Sequence, residues 1–260
     1  MFKETKPILF NCPLHDETVE IYPIHDLHYG NECFDMRRFE ALIDLILSEP
    51  NRYVIFVGDL LENAIPRSKS DMFSQTCSPQ QQKEFVTDMF VRLRERTIAI
   101  TDGNHELNRT LKAAGLYVLY DCACLAGIPE RYRTAYAVID IGVGDGANGV
   151  PGRQMHYIGF ATHKAKQLKH FSSADALEGF DFFLTGHDHE ANDHPRGKLV
   201  YDARNHAVQF KSVETINCGS FLSYGGYGAQ SGYRPKSDKM YKLVLHGGRR
   251  RQIETVGFYL

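Results

Sequence analysis

Tryptophan is absent from the 260 residues, and no apolar run approaches the roughly 20 residues that a membrane-spanning helix requires. The first residues, from Met1 to Lys6, hold no apolar core of signal-peptide length, so the expectation is a soluble, cytoplasmic protein with no membrane partner. The six cysteines (Cys12, Cys33, Cys77, Cys122, Cys124 and Cys218) form no C-x-x-C pair. That argues against a zinc ribbon or a dense disulfide framework and leaves reduced thiols as the default. Cys122 and Cys124, one residue apart in an apolar neighbourhood, read as buried small hydrophobes rather than a redox or metal pair. Charge of one sign is lacking as well: 30 basic against 32 acidic residues give a net charge of -2. No overall field draws nucleic acid or an anionic membrane, and a nucleic-acid partner, though open, would have to be gripped locally. Tyr224 to Gly228 is glycine-rich but precedes no helix signature, so it reads as a flexible turn and not as a phosphate loop. Arg249-Arg250-Arg251 reads as a solvated turn.

The residues that are present suit one α/β domain over the whole chain: 43% are hydrophobic, enough for a substantial core. Val19 to Ile24 reads as a strand in which Pro23 suggests an edge or a bulge. Met36 to Ser48 carries apolar residues at Phe39, Leu42, Ile43, Ile46 and Leu47, the spacing of an amphipathic helix, and Pro50 follows it. Tyr53 to Val57 is a continuous apolar run of the parallel-sheet kind. Leu60 to Gln82 is polar and irregular and reads as a long loop, either a lid with Arg67 and Lys69 as phosphate contacts or a solvated connector. Ser78 with Pro79 opens a helix whose buried face is Phe85, Met89, Phe90 and Leu93. Thr97 to Ile100 is the next strand, and Leu107 to Gly115 a short helix ended by Gly115. Beyond Tyr136 the chain is strand-rich, with a hairpin of Tyr136–Val143 and Met155–Ala161, then strands over 180–184, 208–216, 239–246 and 253–259.

Polar residues recur where these strands end, the place where α/β folds put their active sites. Asp26 and His28 follow the first strand; separated by one residue, they face the same way in extended backbone and can share one ion. Asp59 follows the second. Asn104, a neutral oxygen donor, and His105, a proton donor, follow the third, with Gly103 before them allowing a tight turn beneath an ion. His163, then His187 and His189, end later strands. Arg109, one turn into its helix, reads either as a contact for an anion near Asn104 or as a solvated charge. His25 and His156 adjoin these positions and read as packing or supporting groups, while His15, His170, His194, His206 and His246 fall on surfaces or loops.

In order along the chain, Asp26-Leu27-His28, Gly58-Asp59, Gly103-Asn104-His105-Glu106, His163 and Gly186-His187-Asp188-His189 resemble the signature of the calcineurin-like metallophosphoesterase superfamily. The resemblance implies a four-layer αββα sandwich of two mixed sheets flanked by helices. It also implies two divalent transition-metal ions, Mn foremost and otherwise Fe, Zn, Ni or Co. One ion would be held by Asp26, His28, Asp59 and His189, and the other by Asp59, Asn104, His163 and His187. The implied activity is phosphoester hydrolysis by a metal-bridging hydroxide, with His105 stabilising the phosphoryl oxygens or protonating the leaving group. Members often pair the catalytic histidine with an acid three positions after the bridging Asp; here that position is Glu62, which could serve or be a surface carboxylate. Asp188 stands where Thr is frequent. Asn63 stands where the protein phosphatases have Arg, which favours a phosphodiester of a nucleotide or nucleic acid as substrate. The alternatives are a phosphomonoesterase or protein phosphatase, or a non-catalytic binding or scaffold protein on the same fold. Oligomeric state is not readable from the residues.

Overall fold

The computed structural model describes residues 6–66, 68, 71–164, 177–248 and 251–260. Its strands form two mixed sheets. The first has the order β1 (Ile8–Asn11), β6 (Tyr136–Val143), β7 (Met155–Lys164), β8 (Phe182–Gly186), β11 (Ala207–Asn217) and β10 (Arg196–Asp202), with β9 (Asn192–Asp193) also pairing with β11. The second has the order β13 (Gln252–Phe258), β12 (Met240–His246), β2 (Thr18–Ile24), β3 (Arg52–Val57), β4 (Thr97–Thr101) and β5 (Tyr132–Arg133). Strands β2, β3, β4 and β5 run parallel, and β7, β8 and β11 run parallel in the other sheet. Parallel strands bring their carboxyl ends to one side, so the polar residues that follow β2, β3, β4 and β8 emerge together.

Alternation along the strands makes the layers. Ile21, Ile55 and Val57 of the second sheet meet Ile139, Ile141, Tyr157, Leu184 and Ile216 of the first in one buried cluster between the sheets. The opposite face of the second sheet, with Tyr22, Ile24, Val54, Phe56 and Ile100, is covered by α1 (Met36–Leu47), α2 (Pro79–Arg92) and α4 (Val118–Leu125). In α1 the expected stripe of Phe39, Leu42, Ile43 and Ile46 is buried. Phe183 and Val213, with Phe160, Phe180 and Leu177, pack on the outer side of the first sheet. Pro23 lies beyond the stretch of β2 that pairs with β12 and opposite Ile55 of β3, so its missing N–H interrupts no ladder.

Several expectations change. The stretch read as a loop over Leu60 to Gln82 ends sooner, because α2 begins at Pro79 with Ser78 and Gln82 already in their cap and helix places. Ser78 accepts from the Gln81 backbone and Gln81 reaches back, a capping box. Its first part is not a polar surface either: residues Leu60 to Ala64 are buried. The Asn63 N–H donates to the Gln82 side chain (2.8 Å) and the Ala64 N–H to Gln75 (2.8 Å). Arg67 and Lys69, read as phosphate contacts, lie outside the described residues, as do His170 and Arg249 and Arg250 of the basic run. Tyr224 to Gly228 is not simply a turn, since a short helix, α5 (Gly226–Gln230), starts inside it. Cys122 is buried as expected, but Cys124 is exposed, because α4 turns it outward two residues later. The helix expected at Leu107 to Gly115 is wound as a π-helix over Glu106–Leu111, then α3 (Lys112–Ala114), and Gly115 caps it at φ 71°.

Candidate metal centre

Asp26, His28 and Asp59 reach the centre from the second sheet, as do Asn104 and His105, while His163, His187 and His189 reach it from the first. The backbone there is not extended, contrary to the reasoning that placed Asp26 and His28 on one face of a strand. Asp26 (φ 48°), His28 (50°), Asp59 (52°), His187 (80°) and His189 (55°) are all left-handed; among the described non-glycine residues only Asn63 and His206 share that region. Such conformations cost about 1–3 kcal/mol each, and they turn consecutive side chains back toward a common point. Two glycines make the approach feasible. A Cβ on Gly58 would sit 2.2 Å from the Gly103 nitrogen, and one on Gly103 would sit 2.2 Å from Asp59 Oδ1.

The ring nitrogens gather on the carboxylates. Asp26 Oδ1 lies 3.0 Å from His163 Nε2, 3.5 Å from His189 Nε2 and 3.6 Å from His28 Nε2. Asp59 Oδ2 lies 3.3 Å from His163 Nε2 and 3.8 Å from His105 Nε2. His28 Nε2 and His189 Nε2 are 3.1 Å apart, a separation that needs a shared proton or a cation between the two lone pairs. Donors about 2.0–2.2 Å from one ion stand roughly 3.0–3.5 Å from each other, so these spacings suit shared coordination. Three sets of donors lie within 4.8 Å of one another: Asp26, His28 and His189; Asp59, His163 and His187; and His28, Asp59 and His105. The first holds three of the four residues expected for one ion, without Asp59; the second holds three of the four expected for the other, without Asn104; and the third brings in His105. Asn104 Oδ1 and His163 Nδ1 are buried with no hydrogen-bond partner. An unpartnered amide oxygen, two carboxylates and several imidazoles form a donor set suited to Mn, Fe, Zn, Ni or Co.

Electrostatics follow from burial and proximity. Burial opposes charge on Asp26, yet His189 and His163 hold its carboxyl well below the usual range. Burial is likewise outweighed at Asp59 by His105, His163 and His28, which lower it. Against its own burial, bonds to Asp26 and Glu62 raise the His28 imidazole to about 10, and Asp59 and Asp26 raise His163 to about 9. Burial wins at His105 and His189, which are held down to about 4.

Supporting groups fix these side chains. His25 is fully buried; its Nε2 accepts from the Cys218 N–H (2.9 Å), so its Nδ1–H donates to Asp26 Oδ2 (2.7 Å). The same oxygen accepts from the His187 N–H at 2.7 Å. Glu62 is buried and so is not a surface carboxylate; it stands 3.3 Å from His28 Nδ1 and 3.9 Å from His105 Nδ1. The anion that Arg109 reaches is Glu62: its Nη1 donates to that carboxylate (2.7 Å) and to the Glu62 carbonyl (2.6 Å). His105 Nδ1 lies 3.1 Å from the Leu61 carbonyl, and the His105 N–H donates to Asp59 Oδ1 (2.7 Å). His156, read as a neighbour of the site, is exposed and pairs with Asp140 at 2.7 Å.

Glu106 had no role assigned from the sequence, although it ends the Gly103-Asn104-His105-Glu106 motif. Its carboxylate accepts from the backbone N–H groups of Asp59 (2.9 Å), Leu60 (2.8 Å), Leu61 (3.3 Å) and Gly103 (2.8 Å). It thereby ties the turn after β3 to the turn after β4. Asp102 behind it accepts from the Tyr132 hydroxyl, and burial with the Glu106 charge pushes its carboxyl up to about 8.

No protein-family model and no curated protein sequence matches this chain. Solved structures similar to it include the following three. A protein of Streptococcus pneumoniae described as a predicted phosphoesterase has 11% identity and a TM-score of 0.35 over 93% of this chain and 98% of its own. A metallophosphoesterase of Sphaerobacter thermophilus has 13% identity and a TM-score of 0.38 over 88% and 84%. Vps29 of Chaetomium thermophilum has 12% identity and a TM-score of 0.39 over 93% and 95%. In this chain the two mixed sheets bring Asp26, His28, Asp59, His105, His163, His187 and His189 to one place.

Proposed function

We propose that this protein is a divalent-metal-dependent phosphoesterase that cleaves phosphodiesters of nucleotides or nucleic acid. The observation that carries the reading is the convergence of His28, His163 and His189 Nε2 atoms on Asp26 and Asp59, beside the unpartnered Asn104 oxygen. Asp26, His28, Asp59 and His189 would hold one ion, and Asp59, Asn104, His163 and His187 a second. Ions bound there would supply a water acidic enough to ionise near neutral pH and would neutralise charge on a phosphoryl group. The chain's own residues do the rest. His25 and the His187 N–H fix Asp26 in orientation, and Glu106 fixes the backbone under Asp59 and Asn104. With Nδ1–H given to the Leu61 carbonyl, His105 acts on substrate through Nε2, donating to a phosphoryl oxygen or to the leaving oxygen once it carries a second proton. Glu62, drawn in by Arg109, places a negative charge 3.9 Å from that imidazole, which partly offsets the burial, His28 and Arg109 that hold its pKa down. Asn63 is buried with its N–H spent on Gln82, so the position offers no guanidinium for the second charge of a monoester.

The test is reconstitution. Protein stripped with chelator and reloaded with Mn should bind close to two ions per chain by elemental analysis and should hydrolyse bis-p-nitrophenyl phosphate faster than p-nitrophenyl phosphate. Saturation at one ion would refute the dinuclear reading; a strong preference for the monoester would refute the choice of substrate.

A further inference from the structure

The two strands β10 and β11 run past the end of the sandwich as a hairpin. Residues directly opposite in the ladder share a face: Gly197 with Ser212, Leu199 with Phe210, and Tyr201 with Val208. Leu199 is 77% exposed, Tyr201 62%, Val208 64% and Phe210 73%. Gly197 has room only for the Phe210 ring, which would lie 2.5 Å from a Cβ there. Alternation continues this face along β11 through Glu214 to Ile216, which packs between the two sheets. Glu214 accepts from Thr255 of β13, the outermost strand of the second sheet. The hairpin face is therefore the inner face of the sandwich, prolonged beyond the last strand that covers it.

We infer that this face packs against the same face of a second copy of the chain, related by a twofold axis. The four side chains leave on the order of 500 Å² of mostly apolar surface in water, at the upper end of what monomers carry. Twofold pairing would remove at most on the order of 1,000 Å² in all, a little below the ~1,200 Å² of standard specific interfaces, which suits a weak, reversible dimer. Charge placement selects the occupant. Arg196, Lys198 and Lys211 project from the opposite face, with Lys211 paired to Asp181 at 3.0 Å. Two apolar faces can thus meet without opposing like charges, whereas a nucleic acid stacked on Tyr201 and Phe210 would have these cations behind it. The hairpin tip is polar, its turn closed by Asp202 accepting from the Arg204 and Asn205 N–H groups, which suits solvent and not a bilayer. A sheet packing on a sheet is what the rest of this face already does.

Sedimentation velocity from low micromolar to several hundred micromolar tests this. The wild-type chain should pass from monomer to dimer over that range. Leu199→Glu and Phe210→Glu should each shift the midpoint upward by more than tenfold, and Val200→Glu, exposed on the opposite face, should leave it unchanged. Far-ultraviolet circular dichroism should stay the same for all three, since every substituted side chain is exposed. A wild-type chain that stays monomeric overturns the inference. So does a dimer indifferent to Leu199→Glu and Phe210→Glu, or a monomer whose hairpin variants lose binding to a single-stranded oligonucleotide or to vesicles.

Discussion

His105 has one nitrogen committed to the Leu61 carbonyl and the other turned toward Asp59 Oδ2 at 3.8 Å, so its replacement separates metal binding from proton transfer. His105→Asn should leave the metal content of the reloaded protein unchanged and lower kcat by roughly 10²–10⁴-fold, the usual worth of general acid–base help. The loss should shrink for p-nitrophenyl esters, whose leaving group departs without a proton. A variant that loses a metal would make His105 a ligand, as its place in the third donor set allows. At this scale the sequence exposed the motif residues well, because each ligand type has a chemistry and each stood at a strand end. It exposed the supporting groups poorly. Glu106 binds four backbone N–H groups that exist as a cluster only once two turns are folded together, and His25 acts through the Cys218 backbone, far away in the chain.

Turns and caps set what each element can tolerate. Gly103→Ala would push a methyl into the Asp59 carboxylate, and its cost should be at least about 2 kcal/mol with loss of metal binding, because the Asp59 backbone nitrogen lies 2.3 Å from the added Cβ and the carboxylate is held by the His105 N–H. Ser78→Ala removes the capping box of α2 and should cost about 1 kcal/mol while leaving metal content unchanged. Thermal unfolding with elemental analysis of both variants checks the contrast; equal metal loss in both would show that the centre merely follows global stability. Elements with a clear period were legible, α1 by its 3.6-residue stripe and β3 by its unbroken apolar run. Others were not. β1 and β5 are too short to show a period, and α4, apolar nearly all round, has no polar face to mark it. In β10 the alternation of Arg196 and Lys198 with Leu199 and Tyr201 is broken by Val200, apolar on the charged face, and is too short to stand out.

Taken whole, the metal-free protein should be most stable near pH 6.5, falling away on both sides. His28 and His163 have imidazoles raised from 6.5 to about 10 and about 9; the stability they contribute is complete below pH 6.5 and is lost as pH climbs through those values. His105 and His189, lowered to about 4, act in the other sense and withdraw stability as pH falls below 6.5. The lowered Asp26 and Asp59 carboxyls add a further loss only in stronger acid, below the ordinary 3.8. Melting temperature against pH after chelation should show both limbs, and saturating Mn should flatten the alkaline one, since a metal replaces the two imidazole protons; an alkaline limb unaffected by Mn would contradict this. The location of the centre has a mechanical consequence. Asp26 and His28 follow a strand of one sheet and His189 a strand of the other, so an ion held by these three would act as a rivet through the seam of the sandwich. Sliding or parting of the sheets must first release the ion, and amide exchange in β7 and β8 should slow together with that in β2 as metal is added, in proportion to the logarithm of its free concentration.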